Sequence, residues 1–301
     1  KVSLQTQIEG NAALADNFND FFKSVKANLH GSIPQFQFKE YIFKNFVFNG
    51  TYLDKLYNLN LVANDPNCKF DFDGRVDFTR EIPNYQFTLS DFDILADNIA
   101  SYLAPVDSLH AKGVDKLIYF LQQKSNSQLA VSSLRVNLSA TNLDDLTGSI
   151  MLDTLRYQQD GEVLTTSALR FIALNVDDVK KYRLTSDILN ASVSTTYSNS
   201  TVLDSLYYFA CRYLPNLNDK CKEIVVLTDE AESNNEKQTD YFSAQIETYH
   251  TRKILSFFRK GTFIAPLTKL NFYMSSKHEN DSIYFSSRYI RLNPTLKFHN
   301  I

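Results

Sequence analysis

Tryptophan is absent from this chain of 301 residues, and glycine occurs only 8 times. So few glycines argue against many tight hairpins and against phosphate-cradling loops. No Gly-x-Gly-x-x-Gly, P-loop, Cys-x-x-Cys or His-Glu-x-x-His pattern occurs. No run approaches the roughly 18 apolar residues that a membrane-spanning helix needs. Charge of neither sign dominates: the net charge is −3, with signs interspersed, which argues against a nucleic-acid partner. The chain opens at Lys1 without a basic-plus-apolar leader, so it is expected to be a processed or excised segment.

The groups that carry chemistry are equally thin. His30, His110, His250, His278 and His299 are scattered, and surface positions suit them better than a metal site. Asp71-Phe72-Asp73-Gly74 resembles part of a calcium loop. The alternation of Phe70, Phe72, Val76 and Phe78 instead predicts a straight strand with its acids pointing outward. No carboxylate sits in a recognisable acid–base context, so neither an enzyme nor a cofactor is expected. Of the 3 cysteines, Cys211 and Cys221 close a short loop that a disulfide would stabilise by ~3 kcal/mol; two unpaired thiols are the alternative. Asp-Ser/Thr-aliphatic triplets at Ser108, Thr154, Ser205 and Ser282 resemble an O-glycosylation sequon of exported Bacteroidetes proteins. Such short patterns also recur by chance, and Ser205 falls in an expected helix.

What the chain does have is phenylalanine (23), tyrosine (17) and a period of two. From Tyr57 to Leu89, the residues Leu59, Leu61, Ala63, Phe70, Phe72, Val76, Phe78, Tyr85, Phe87 and Leu89 alternate with Asn, Lys, Asp and Arg. That predicts three strands of an antiparallel meander with one apolar and one charged face. Residues 34–89 are expected to be strands. Leu134, Val136 and Leu138 continue the pattern, Gln158–Gly161 predicts a turn, and long strands are expected from Val163 and from Tyr182 to about Tyr197.

Helical spacing predicts an amphipathic helix over 12–27, a second capped by Ser90 and carrying Phe92, Leu95, Ile99 and Leu103, and a third over Val114–Leu121. Two later units, 182–214 and 240–260, each run strand, short helix, breaker. The expected organisation is 1–228 as β repeats with helices, 229–240 as a polar linker and 241–301 as a further repeat, forming one continuous array. The fold class is mainly β with short amphipathic helices.

Phe70, Phe72, Phe78, Tyr85 and Phe87 alone would present roughly 1,000 Å² of apolar surface, beyond the ~300–600 Å² of a typical monomer's largest patch. Either the protein's own helices or a second sheet cover that face, or lipid chains do.

The run FVFNGTYLDKLYNLNLVANDPNCKFDFDGRVDFTREIPNYQFTL resembles a recurring segment of the TamB family, within the AsmA-like group, above all its Bacteroidetes members. LRVNLSATNLDDLTGSI (134–150) and the strand–helix–Ala-Pro–strand unit of 240–292 are similar to the same family, so the resemblance touches about half of the chain. It implies a periplasmic protein anchored in the inner membrane. It also implies a curved antiparallel sheet forming an elongated, taco-like hydrophobic groove, phospholipid transport to the outer membrane, and an Omp85-type outer-membrane barrel as partner. A scaffold for outer-membrane protein assembly is the alternative role. The groove wall implied comprises Phe70, Phe72, Val76, Phe78, Tyr85, Phe87, Leu89, Leu134, Val136, Leu138, Phe242 and Ile246.

Overall fold

A computed structural model describes residues 3–9, 26–38, 40–95, 98–99, 127–159, 161–199, 201–213, 240–258, 261–277, 280–293 and 295–301. The chain is mainly β. Its large antiparallel sheet is curved and not closed. The chain divides into two compact units, the first 1–139 with 148–170, the second 140–147 with 171–301. Residues 229–239 of the expected linker lie outside the described residues.

The first unit is a meander in which each strand pairs with its successor. Its strands are β1 (Ser3–Glu9), β2 (Lys26–Phe38), β3 (Tyr41–Leu53), β4 (Leu56–Asp65), β5 (Cys68–Asp77), β6 (Asn84–Leu95), β7 (Gln128–Ser139), β8 (Thr147–Gln159) and the start of β9 (Glu162–Val176). The three strands expected between Tyr57 and Leu89 are β4, β5 and β6, in the register that their alternation requires. The expected turn joins β8 to β9 at Gly161.

In the second unit, β10 (Val179–Thr185) and β11 (Leu189–Thr195) form a hairpin. Helix α1 (Val202–Tyr213) follows, then β12 (Tyr241–Thr248), helix α2 (Thr251–Phe258), β13 (Phe263–Ile264) and β14 (Lys269–Ser275). Strands β15 (Ser282–Ser286), β16 (Tyr289–Arg291) and β17 (Lys297–His299) complete it. Asp204 in the first turn of α1 and Arg212 in the last oppose the helix dipole. Phe209 of α1 packs edge-on against Phe272 of β14, ring centroids 4.9 Å apart, so the apolar face of β12 and β14 is covered there by the unit's own helix. Thr251 Oγ1 donates to the Ile264 carbonyl at 2.8 Å and ties the start of α2 to β13.

Three sequence expectations are corrected. The helix predicted from Ser90 is strand as far as Leu95: Phe92 pairs with Val131 and Leu95 with Gln128, which also draws Gln128 of the polar run 124–128 into β7. The single strand from Tyr182 to Tyr197 is broken after Thr185, where the Ser186 hydroxyl accepts from the backbone N–H of Ile188 and of Leu189 and donates to the Leu189 carbonyl. Lys26 and Ala27, expected at the end of the first helix, open β2. The remainder of that helix and the one over 114–121 lie outside the described residues.

Candidate functional site

Because paired residues in a sheet share a face, register alone assembles rows across the first unit. One row is Leu29, Gly50, Leu59, Gly74, Phe87, Val136. Beside it runs Ala27, Tyr52, Tyr57, Val76, Tyr85, Leu138, and on its other side Gly31, Phe48, Leu61, Phe72, Leu89, Leu134. The opposite face carries Asn28, Thr51, Asn58, Arg75, Gln86, Asn137 and His30, Asn49, Asn60, Asp73, Thr88, Arg135. Six strands thus keep one apolar and one polar face without exception in these rows.

The apolar face holds a depression of about 730 Å³. Gly50 and Gly74 lie on either side of Leu59, and at Gly50 the missing side chain leaves room. Tyr52, Tyr57, Val76, Phe78, Tyr85 and Phe87 surround them. A Cβ on Gly74 would stand 2.7 Å from the Phe72 ring, so that ring leans across the glycine. Aromatic contacts bind the wall: Tyr52 to Tyr57 at 4.6 Å, Tyr57 to Phe78 at 5.7 Å, Phe78 to Tyr85 at 6.2 Å and Phe72 to Phe87 at 5.9 Å. Such pairs contribute ~0.5–1.5 kcal/mol each beyond area burial. Burial and the adjacent Tyr57 raise the Tyr52 pKa.

The two ends of the apolar face differ. Tyr57 (44 % exposed), Leu59 (42 %) and Phe78 (41 %) leave one end open. The other is shut by a buried cluster of Tyr41, Cys68 and Ile99, flanked by Phe43, Phe70 and Ile94. Under it the Asp65-Pro66-Asn67 turn is fully bonded: Asp65 accepts from the Tyr41 hydroxyl at 2.6 Å, the Lys44 N–H at 2.8 Å and the Asn67 N–H at 2.9 Å. Burial first, and the Asp65 hydrogen bond second, push the Tyr41 pKa up to about 12. Burial likewise pushes the free Cys68 thiol to about 11.

Of the residues named from the sequence, Phe70, Phe72, Val76, Phe78, Tyr85, Phe87, Leu89, Leu134, Val136 and Leu138 come together on this face. Phe70 belongs to the shut end. Phe242 and Ile246 stand on β12 in the second unit, Phe242 against Phe272 at 5.8 Å. Leu29, Gly50, Tyr52, Tyr57 and Leu59 join the wall beyond those expected from the sequence. The alternation of Ala27, Leu29, Gly31 and Ile33 in β2, and of Phe46, Phe48, Gly50 and Tyr52 in β3, is the signal that marks the first three.

Asp71 and Asp73 lie on the polar face, both accepting from the Asn60 amide, at 3.2 and 3.0 Å, along a straight strand. Among the described residues no group of three or more His, Cys, Asp or Glu is placed to hold a metal ion. Cys211 is buried and disulfide-bonded, while Cys221 lies outside the described residues. Thr154 is half-buried in β8, Ser205 donates to the Thr201 carbonyl within α1 and its approach, Ser282 is exposed on β15, and Ser108 lies outside the described residues.

These features define an open antiparallel β-meander with one amphiphilic sheet and an apolar depression at its centre. Comparison with protein-family models, with curated proteins and with solved structures finds no match.

Proposed function

We propose that the first unit shields phospholipid acyl chains, as a segment of a TamB-like periplasmic bridge between inner and outer membranes. The observation that carries this reading is the half-exposed apolar depression, closed by a core at one end and open between Tyr57 and Phe78 at the other. Each methylene withdrawn from water gains ~0.8 kcal/mol, so an apolar trough offsets the loss of bilayer contact without a specific headgroup site. Walls made of rings and aliphatic chains hold acyl chains nonspecifically and let them slide. In this proposal the sheet forms an elongated groove, the parent protein is anchored in the inner membrane, an Omp85-type barrel receives the cargo, and no catalytic step is involved. The disulfide at Cys211 accords with an oxidising compartment.

The test is mass spectrometry of organic extracts from the chain purified without detergent. Stoichiometric phospholipid, lost in Phe72→Asp and Phe87→Asp proteins that keep their far-UV circular dichroism, supports the proposal. Folded wild-type protein free of lipid would make this face an ordinary protein-covered surface and favour a scaffold role.

A further inference from the structure

The two polar rows of the first unit, one from Asn28 to Asn137 and one from His30 to Arg135, flank a second depression. All their positions from β3 to β7 line it, and its volume is about 710 Å³. Between the rows runs the main chain of Leu59, Gly74, Phe87 and Val136, whose side chains stand on the apolar face. The result is a trough that crosses the strands instead of following them. Its walls are two residues apart along each strand, about 6.8 Å, and successive side chains in a wall are one strand apart, about 4.8 Å. On β8, Ser149 and Met151 extend the lining, next to the Arg135–Asp153 ion pair at 2.9 Å.

The composition of the two rows differs from that of a merely solvated face. They contain neither Lys nor Glu, and half of their positions are Asn or Gln. Asn and Thr side chains lose less rotamer freedom than Lys or Glu when a ligand fixes them. Part of the lattice is already oriented: Asn58 donates to Thr51 at 3.0 Å, and Asn60 donates to Asp73 at 3.0 Å. Between those pairs and β7, the side chains of Arg75, Gln86 and Thr88 make no hydrogen bond or ion pair among the described residues. Arg75 and Gln86 are exposed and Thr88 is half-buried.

We propose that this trough binds an unbranched glycan of β-1,4-linked pyranoses, laid across the strands with about one ring per strand. Sugar hydroxyls both donate and accept, as do the amides that would face them. The repeat of such a chain is close to the spacing of the strands, so each ring meets a fresh pair of side chains. Arg75 and Arg135 are balanced by Asp73 and by the Asp153 that holds Arg135, and a near-neutral trough does not suit a polyphosphate chain. Neither row carries an apolar anchor on which a polypeptide would dock. The site lies on the opposite face from the acyl-chain depression and does not depend on that reading.

The probes are cellohexaose and its acetamido-bearing counterpart chitohexaose, titrated calorimetrically into the intact chain. At least one hexamer should bind saturably, roughly tenfold more tightly than its dimer, because each added ring reaches another strand. Maltohexaose, whose α-linkages curl the chain, should bind more weakly than that hexamer. Arg75→Ala combined with Gln86→Ala should weaken binding roughly tenfold through lost hydrogen bonds. Both side chains are exposed, so the fold is kept, and an unchanged far-UV circular dichroism spectrum checks it. Binding of neither hexamer, affinity that ignores chain length, or binding indifferent to the double substitution overturns the proposal. So does tighter binding of poly-L-glutamate at the same residues, which would make the trough an acidic-peptide site.

Discussion

The Tyr41 hydroxyl donates to Asp65 Oδ1 at 2.6 Å across 24 positions of sequence, in a buried pocket where Asp65 also receives the N–H groups of Lys44 and Asn67. The bond fixes the β4–β5 turn to the start of β3 and closes one end of the apolar face. Tyr41→Phe leaves the buried carboxylate one donor short and should cost ~1–3 kcal/mol in urea unfolding. The lining of the open end should be unaffected.

Alkaline pH probes the same contact without a mutation. The Tyr41 pKa is raised from 10.0 to about 12, so its contribution is complete below pH 10 and is lost as pH rises towards 12. Urea midpoints measured between pH 9 and pH 12 should fall more for wild type than for Tyr41→Phe.

Acid acts on the second unit at another place. Asp144 accepts from the Ser198 hydroxyl at 2.7 Å and from the Asn199 N–H, and those bonds, in that order, hold its pKa below 3.8. A depressed carboxylate stabilises above its unfolded pKa, and the contribution disappears as pH falls through the folded value. Asp144→Ala should therefore lower the melting temperature at pH 6, and the gap to wild type should narrow below pH 3.8.

Gly50 offers a way to fill the depression without breaking the sheet. A Cβ there meets only ordinary contacts, 3.6 Å from both Leu29 and the Asn58 carbonyl. Gly50→Leu should keep or raise stability, since glycine weakens a strand interior, while lipid recovered in organic extracts falls.

Gly148 is the opposite case. Its φ is +124°, and a Cβ would stand 2.1 Å from the Asn137 carbonyl oxygen, which belongs to the backbone of the neighbouring strand. Gly148→Ala should destabilise by ~3 kcal/mol or more, from left-handed strain together with a backbone clash. Chemical denaturation of the variant measures it.

The period of two makes β4, β5 and the first half of β6 legible, because Asp71, Asp73 and Arg75 mark the polar face between Phe70, Phe72 and Val76. The second half of β6 reads as helix for a local reason. Asp91, at φ 49°, occupies a bulge where Ser90 to Asp93 on β6 match only Asp71 to Lys69 on β5. The extra residue moves the apolar phase from Tyr85, Phe87 and Leu89 to Phe92, a step of three that imitates a helix until pairing with β7 settles it. The break at Ser186 is hidden for another reason: Ser, Thr and Asn populate both faces of 182–197, and a turn closed by one hydroxyl has no Gly or Pro to announce it. Gly50, Tyr52, Tyr57 and Leu59 keep the alternation of their own strands, but register alone brings them into rows with Gly74, Val76, Tyr85 and Phe87, because a row that crosses six strands is not written in any one of them.

In the large sheet each strand up to β12 lies beside the one made just before it, and only β13 is skipped before β14 and β15. A chain laid out this way needs no distant partner before a strand can pair; many steps close one short connection, while those across 10–25, 96–127 and 196–240 close longer ones. Folding can advance from the leading end while the remainder is still being synthesised, each finished strand acting as the template for the next.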